Sequence, residues 1–406
     1  MNVSDPQSLP SKDLALATIG GVPAVQVIAT MGILIPAAIA PELARTLDLP
    51  VSMIGFQVSL AYVGATLMSL CGGLVQRKLG AVRVNQIAAT AIGLSLLIIA
   101  IPHVAALFVG SLGLGIAYGM TNPAASHLMM KIASPTNRNL IFSVKQTGQP
   151  LGGVVAGLMA PPIAIAFGWQ WSLMAGAFLA LSTVLLIQPL RAKLDGDRDP
   201  TTKFRSAVFK DVSLVLRIRE LRLLALAALT FSGVQLALMT FAVTMLFEDV
   251  KFDLVLAGVG LAVIQIAGVA GRLGWGVIAD RNGDGRKTLL FAQSLSVVAA
   301  VATAFLSDSM PLVAVFGILF LFGMSAVGWN GVFMAEIGRL APEGKISSAT
   351  GGVLVPTFIG VMMGPLVFSA IHEVTATYTM SFAILALVTM MGMVPILMMR
   401  GSRQKE

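Results

Sequence analysis

Of the 46 charged side chains in this chain, 27 Lys or Arg and 19 Asp or Glu, only Lys145 and Arg272 stand well inside hydrophobic stretches long enough to cross a bilayer. No Asp or Glu accompanies them there. A charge at membrane depth costs a few kcal/mol or more and is kept where it faces a bundle interior or an aqueous path. Arginine grips a carboxylate through two parallel hydrogen bonds, and lysine acts as a point charge. Two such cations without a counter-ion predict an anionic ligand. A second constellation is neutral: Gln26, Asn122, Gln235 and Asn330 each stand in a different hydrophobic stretch. Amides donate and accept, so they suit a carboxylate or a hydroxyl-bearing ligand, or else bond helix to helix. Beside Lys145, the run Gln146-Thr147-Gly148-Gln149-Pro150 packs polar groups and a proline into one half-helix. Pro150 has no N–H, so it frees a carbonyl near Gln146. Tyr118, Trp329 and Gln265 either line the same cavity or pack.

These residues need elements to hold them at depth. With 56% hydrophobic and 11% charged residues in 406, the chain falls far outside the soluble range. Apolar runs of about 20 residues cut at charge clusters and turn signals predict twelve helical spans. They fall near 15–42, 51–76, 83–102, 104–130, 139–166, 170–190, 222–247, 254–279, 288–307, 310–335, 346–371 and 375–399. The expected fold class is an all-α membrane protein. An even count puts both termini on one side. If that side is the cytoplasm, 23 of the 27 Lys and Arg are inside, with Arg45 and Lys251 in outer loops. That asymmetry follows the positive-inside rule and predicts a multi-pass protein of the cell membrane with cytoplasmic termini. Residues 1–14 form an inner segment without a cleavable signal, 15–190 a first bundle, 191–221 a linker, 222–399 a second bundle and 400–406 a tail. In the linker, Phe204, Val208, Val212 and Leu216 recur every four residues, which predicts an amphipathic surface helix.

Several classes are excluded. The net charge of +8 is explained by the inner loops, so no nucleic-acid partner is expected. The single Cys71 rules out an internal disulfide, and the three scattered histidines make no metal cluster. No nucleophile, base and orienting acid can be assembled, nor a phosphate loop, so neither an enzyme nor a cofactor is expected. Lipid is the expected surrounding, and a monomer the expected state.

The two halves repeat at an offset of roughly 203 to 209 residues, a signature of secondary transporters. Asn122 through Lys131 matches Asn330 through Arg339, and Gln26 matches Gln235. The run Gly276-Val-Ile-Ala-Asp280-Arg281-Asn-Gly283-Asp-Gly-Arg286-Lys287 matches Gly73 through Arg83 in the first half. This pattern, its degenerate partner and the six-plus-six layout resemble the major facilitator superfamily over the whole chain. The resemblance implies two pseudo-symmetric six-helix bundles that rock around a central site, with spans one, four, seven and ten lining the cavity. It also implies a conformational role for the paired loops, carried by Gly276, Asp280, Arg281 and Gly283 and by Arg77 and Arg83. Arg77 stands where the family has an Asp, so an Asp-centred latch is left to Asp280.

Within that family, an Arg in this part of span eight is similar to the oxalate/formate antiporter and the monocarboxylate transporters. The resemblance implies that spans five and eight face each other, so Lys145 and Arg272 would bracket one anion. The expected function is secondary transport of a small organic anion, a carboxylate, by proton symport or by exchange for another anion. A proton-coupled exporter of drugs or metabolites is the alternative, suggested by the imperfect glycine-proline motif of span five. Two buried cations disfavour cationic cargo.

Overall fold

A computed structural model describes residues 12–50, 53–132, 138–199, 208–342 and 345–399, and the regular secondary structure within them is helical. The first half consists of α1 (Lys12–Ala38), α2 (Ala40–Leu47), α3 (Met53–Leu79), α4 (Ala81–Ile99), α5 (Val104–Ile132), α6 (Arg138–Phe167) and α7 (Trp169–Leu194). The linker contributes α8 (Val208–Arg217). The second half consists of α9 (Arg219–Glu248), α10 (Leu254–Asn282), α11 (Gly285–Ala302), α12 (Leu312–Ala326), α13 (Asn330–Leu340), α14 (Ile346–Thr375) and α15 (Tyr378–Met398). Among the described residues, eleven segments are long and apolar enough to cross a membrane, with α12 and α13 joined as one, and Met53–Ser69 is a shorter apolar helix.

Within the first half, α3 and α4 pack on α5, α6 on α1 and α7 on α4. Within the second, α14 and α15 pack on α9, α15 on α11 and α12 on α10. The halves meet where α6 packs on α10, α3 on α14 and α1 on α9. Lipid tails are as apolar as Leu, so close van der Waals packing has to hold such helices together, and small residues permit it. Gly115 of α5 lies so tightly on Ala61 that an added Cβ would overlap its carbonyl. Gly323 of α12 does the same against the Ile264 backbone of α10.

The tenth span departs from expectation. The stretch 310–335 reads as one helix, but residues 327–329 form a turn between α12 and α13. The carbonyl of Met324, which continuous helix would satisfy from residue 328, accepts a hydrogen bond from the Trp275 indole at 2.8 Å. The turn also brings Gly328 against Gly271, the residue before Arg272. A side chain from the neighbouring helix replaces the missing backbone bond, as the absence of water at membrane depth demands.

The linker is fastened at two places. The Asp195 carboxylate accepts from the backbone N–H groups of Val82 and Arg83 at 2.8 and 2.9 Å, capping the start of α4. Gly80, at φ 95°, leaves room for it, since a Cβ there would strike the carboxylate. Asp197 bonds Lys131 at 2.6 Å and His127 at 2.7 Å. Burial pushes the Asp197 carboxyl up, but Lys131 and His127 outweigh it and hold the group below the ordinary carboxylate range. On the other side, α8 packs on α14 and α9, with Val215 buried. A helix is therefore present over Val208–Arg217; of the expected apolar row Leu216 is exposed, its neighbour Val215 is the buried residue, and Phe204 lies outside the described residues.

Candidate functional site

Lys145 lies two turns into α6 and is 4% exposed. Its ammonium donates to the Asn122 side-chain oxygen and, at 2.8 Å, to the Ser126 hydroxyl, both on α5. Its partners among the described residues are neutral. Asn122 is itself exposed, so the Lys145 ammonium sits directly behind an exposed amide. Ser126 escaped sequence reasoning; the signal was available, because it follows Asn122 by four residues on the same helix face.

Arg272 reaches across from α10 to the first half. One terminal nitrogen donates to the main-chain oxygen of Gln146 at 2.8 Å. That oxygen is free because its helical donor would be the nitrogen of residue 150, which is a proline. The Arg272 Nε is buried and makes no hydrogen bond. A guanidinium with five N–H donors is thus committed through one terminal nitrogen to a carbonyl and retains donors for another partner. The carbonyl it holds belongs to the residue following Lys145, so the two cations stand at one depth on opposite halves. No acid balances them, since among the described residues each carboxylate lies near a helix end, in a loop or in the linker. Glu336, the most buried near this end, is spent on Arg339 at 2.6 Å.

Pro150→Ala would supply the missing N–H and compete with Arg272 for the Gln146 carbonyl. The tie between the halves should weaken by about 1 kcal/mol. Faster deuterium uptake in α10 around Arg272 would register it.

The polar groups around the cations divide into two sets. Gln149 donates to the Tyr118 hydroxyl at 3.3 Å, and Tyr118 meets Tyr62 edge-on with centroids 5.8 Å apart. Gln26 is buried beside Gly148 with its nitrogen unpartnered, and the Gln146 side-chain oxygen is likewise buried and unpartnered. In the second half, the Gln235 oxygen accepts from the Trp329 indole at 2.9 Å and from Asn330 at 3.4 Å. Trp329 stacks on Phe231 at 4.8 Å. The repeat-related asparagines thus do different work: Asn122 serves Lys145, and Asn330 serves the Gln235 cluster.

The expected gating residues sit at the end that carries the termini. Asp280 and Arg281 are exposed, and among the described residues Asp280 has no hydrogen-bond or ion-pair partner. Gly283 ends α10 at φ 62°, and Gly276 has open space around it. Arg77 is exposed and its carbonyl accepts from Asp199, while Arg83 reaches Gln86 at 3.4 Å. In this state Asp280 makes no latch contact among the described residues. The close approaches between halves lie from midplane to the opposite end: Gly153 meets Gln265, Gly157 meets Gly258, and Gly55 meets Phe241 and Ser369.

The family model of the Major Facilitator Superfamily matches residues 24–353, most of the chain. The chain belongs to the major facilitator superfamily. Among relatives of this superfamily member, the hexuronate transporter of Bacillus subtilis (strain 168) is 22% identical over 365 residues, 84% of each chain. Two solved structures share the facilitator fold. One is a bacterial homolog of the human lysosomal transporter Spinster, in an inward-facing and unoccupied conformation, with TM-score 0.72, 15% identity and 96% of both chains covered. The other is a point mutant of the nucleoside transporter NupG, with TM-score 0.76, 17% identity, and 95% of this chain and 99% of that one covered. The protein is a multi-pass membrane transporter of small molecules, not an enzyme.

Proposed function

We propose that this facilitator carries a small organic anion, a carboxylate, bound between Lys145 and Arg272 by alternating access. The observation that carries the reading is a pair of cations from opposite halves at one depth with no acid between them. A carboxylate there would take the free donors of Arg272 in parallel, neutralise part of the charge and draw the halves together. The relative named for hexuronate, a sugar acid, supports an anionic cargo. The far half of the interface is closed by glycine contacts while Asn122 and Asp280 are exposed, so this state opens toward the termini. The density of Lys and Arg on that side supports a cytoplasmic location for it, and a cell-membrane location for the protein. Anion exchange needs no titrating carboxylate at depth, whereas proton symport would route the proton through another group such as Lys145.

Thermal unfolding of the purified protein tests the cargo class. A hexuronate or another small carboxylate at about 100 times its Kd should stabilise by about 2.7 kcal/mol. Stabilisation by cationic drugs or by uncharged nucleosides, with none by carboxylates, overturns the reading. In proteoliposomes, carboxylate uptake that persists with a protonophore assigns the drive to exchange; uptake that collapses assigns it to symport.

A further inference from the structure

Gln265 is fully buried in α10, and both its amide oxygen and its amide nitrogen lack a hydrogen-bond partner. It is not part of the cation pair. It precedes Arg272 by seven residues, two helical turns, so both side chains leave the same face of α10 with their Cα atoms about 10 Å apart. Side chains on a helix lean toward its N-terminus, and the longer arginine extends further in that direction than the glutamine, which narrows that gap. Across the interface the amide lies on Gly153 of α6, where an added Cβ would overlap it. Glycine at that position gives the amide its place between the halves.

Two more orphaned polar atoms belong to the same region: the Gln26 nitrogen and the Gln146 side-chain oxygen are also without partners. The region therefore offers donors and acceptors, uncharged, one side of a site whose charges are both positive. A partner that satisfies them carries hydroxyls, because a hydroxyl both donates and accepts.

We propose that Gln265 is a specificity-determining residue that reads the hydroxyl groups of the transported anion while Lys145 and Arg272 hold its carboxylate. The inference rests on the organic-anion reading and narrows it: the cargo is a polyhydroxylated acid of about six carbons, long enough to reach from the guanidinium to the amide. Release of the seam between α6 and α10 exposes Gln265, and the cargo's hydroxyls replace the bonds it lacks in the closed seam. An acid of the same shape without hydroxyls would leave the amide unpaired, the situation in which sites built to bond a hydroxyl reject its analogue.

The test measures binding of two ring acids, glucuronate and cyclohexanecarboxylate, to purified wild-type protein and to Gln265→Met, which keeps the side-chain volume. Wild type should prefer glucuronate, and Gln265→Met should reduce the preference about tenfold by weakening glucuronate alone. If Gln265→Met does not insert, Gln265→Asn, which withdraws the amide by one methylene, carries the same expectation. An unchanged preference in the variant, or a wild-type preference for cyclohexanecarboxylate, overturns the role of Gln265 while leaving the carboxylate site standing. Binding of neither acid overturns both. A packing role alone would shift both affinities together.

Discussion

Arg272→Gln is expected to reduce carboxylate uptake into proteoliposomes roughly a hundredfold, and Lys145→Gln to do the same, while each variant still inserts and purifies. Truncating one member of a buried, hydrogen-bonded charge pair typically costs about 2 to 5 kcal/mol, and about 1.4 kcal/mol is tenfold. Here the second member of each pair would be the cargo. The neighbourhood of Lys145 supports insertion of its variant, because a glutamine can still bond Asn122 and Ser126, the groups the ammonium touches now. The Arg272 variant leaves the Gln146 carbonyl to be met by an amide in place of a guanidinium. Arg272→Lys separates charge from shape. It keeps the charge and loses the fork, so an intermediate loss argues for bidentate grip and full retention argues for charge alone. Unchanged kinetics in both glutamine variants would remove the anion site.

The second large effect concerns closure. A Cβ on Gly258 would press on the Gly157 carbonyl and the Pro161 ring, and neither can move aside without shifting α6. Gly258→Val should therefore hold the far seam apart and lower turnover at least about tenfold, since alternation of the two faces is the transport cycle. The expected structural readout uses Ala262→Cys in a background with Cys71 replaced by Ser. Ala262 is 3% exposed in the seam beside Gly157, so an impermeant maleimide added from the far side should label it markedly faster when Gly258→Val is also present. Gly274→Val is the control, because nothing lies within 4 Å of its would-be Cβ. Protection of the cysteine and normal turnover in Gly258→Val would mean that the glycine contact does not gate the far end.

The spans were legible because bilayer thickness imposes a length on each, and the charges that punctuate them lie in loops. Span five illustrates it: 139–166 from hydropathy, Arg138–Phe167 in the structure. Span ten was not legible in full. Its break depends on Trp275 from another helix donating to the Met324 carbonyl, a long-range substitution with no local trace. Lys145 and Arg272 announced themselves as charges at depth, and Pro150 announced a free carbonyl at Gln146. That Arg272 takes that carbonyl joins two facts 126 residues apart, which no window on the sequence connects. Asp195 was equally hidden. In sequence it is one acid in a charged linker, and only folding places it at the start of α4, where Arg77 had removed the family's own Asp from the loop.

That cap also redraws where one half of the molecule ends. Asp195 and Asp197 bind the chain after α7 to α4 and α5, and α8 binds the chain before α9 to α14. Most of the linker therefore travels with one bundle or the other. A chain break or an inserted domain placed before Asp195 would therefore separate α4 from its cap, whereas the fastening of α8 to α14 would stay with the second bundle.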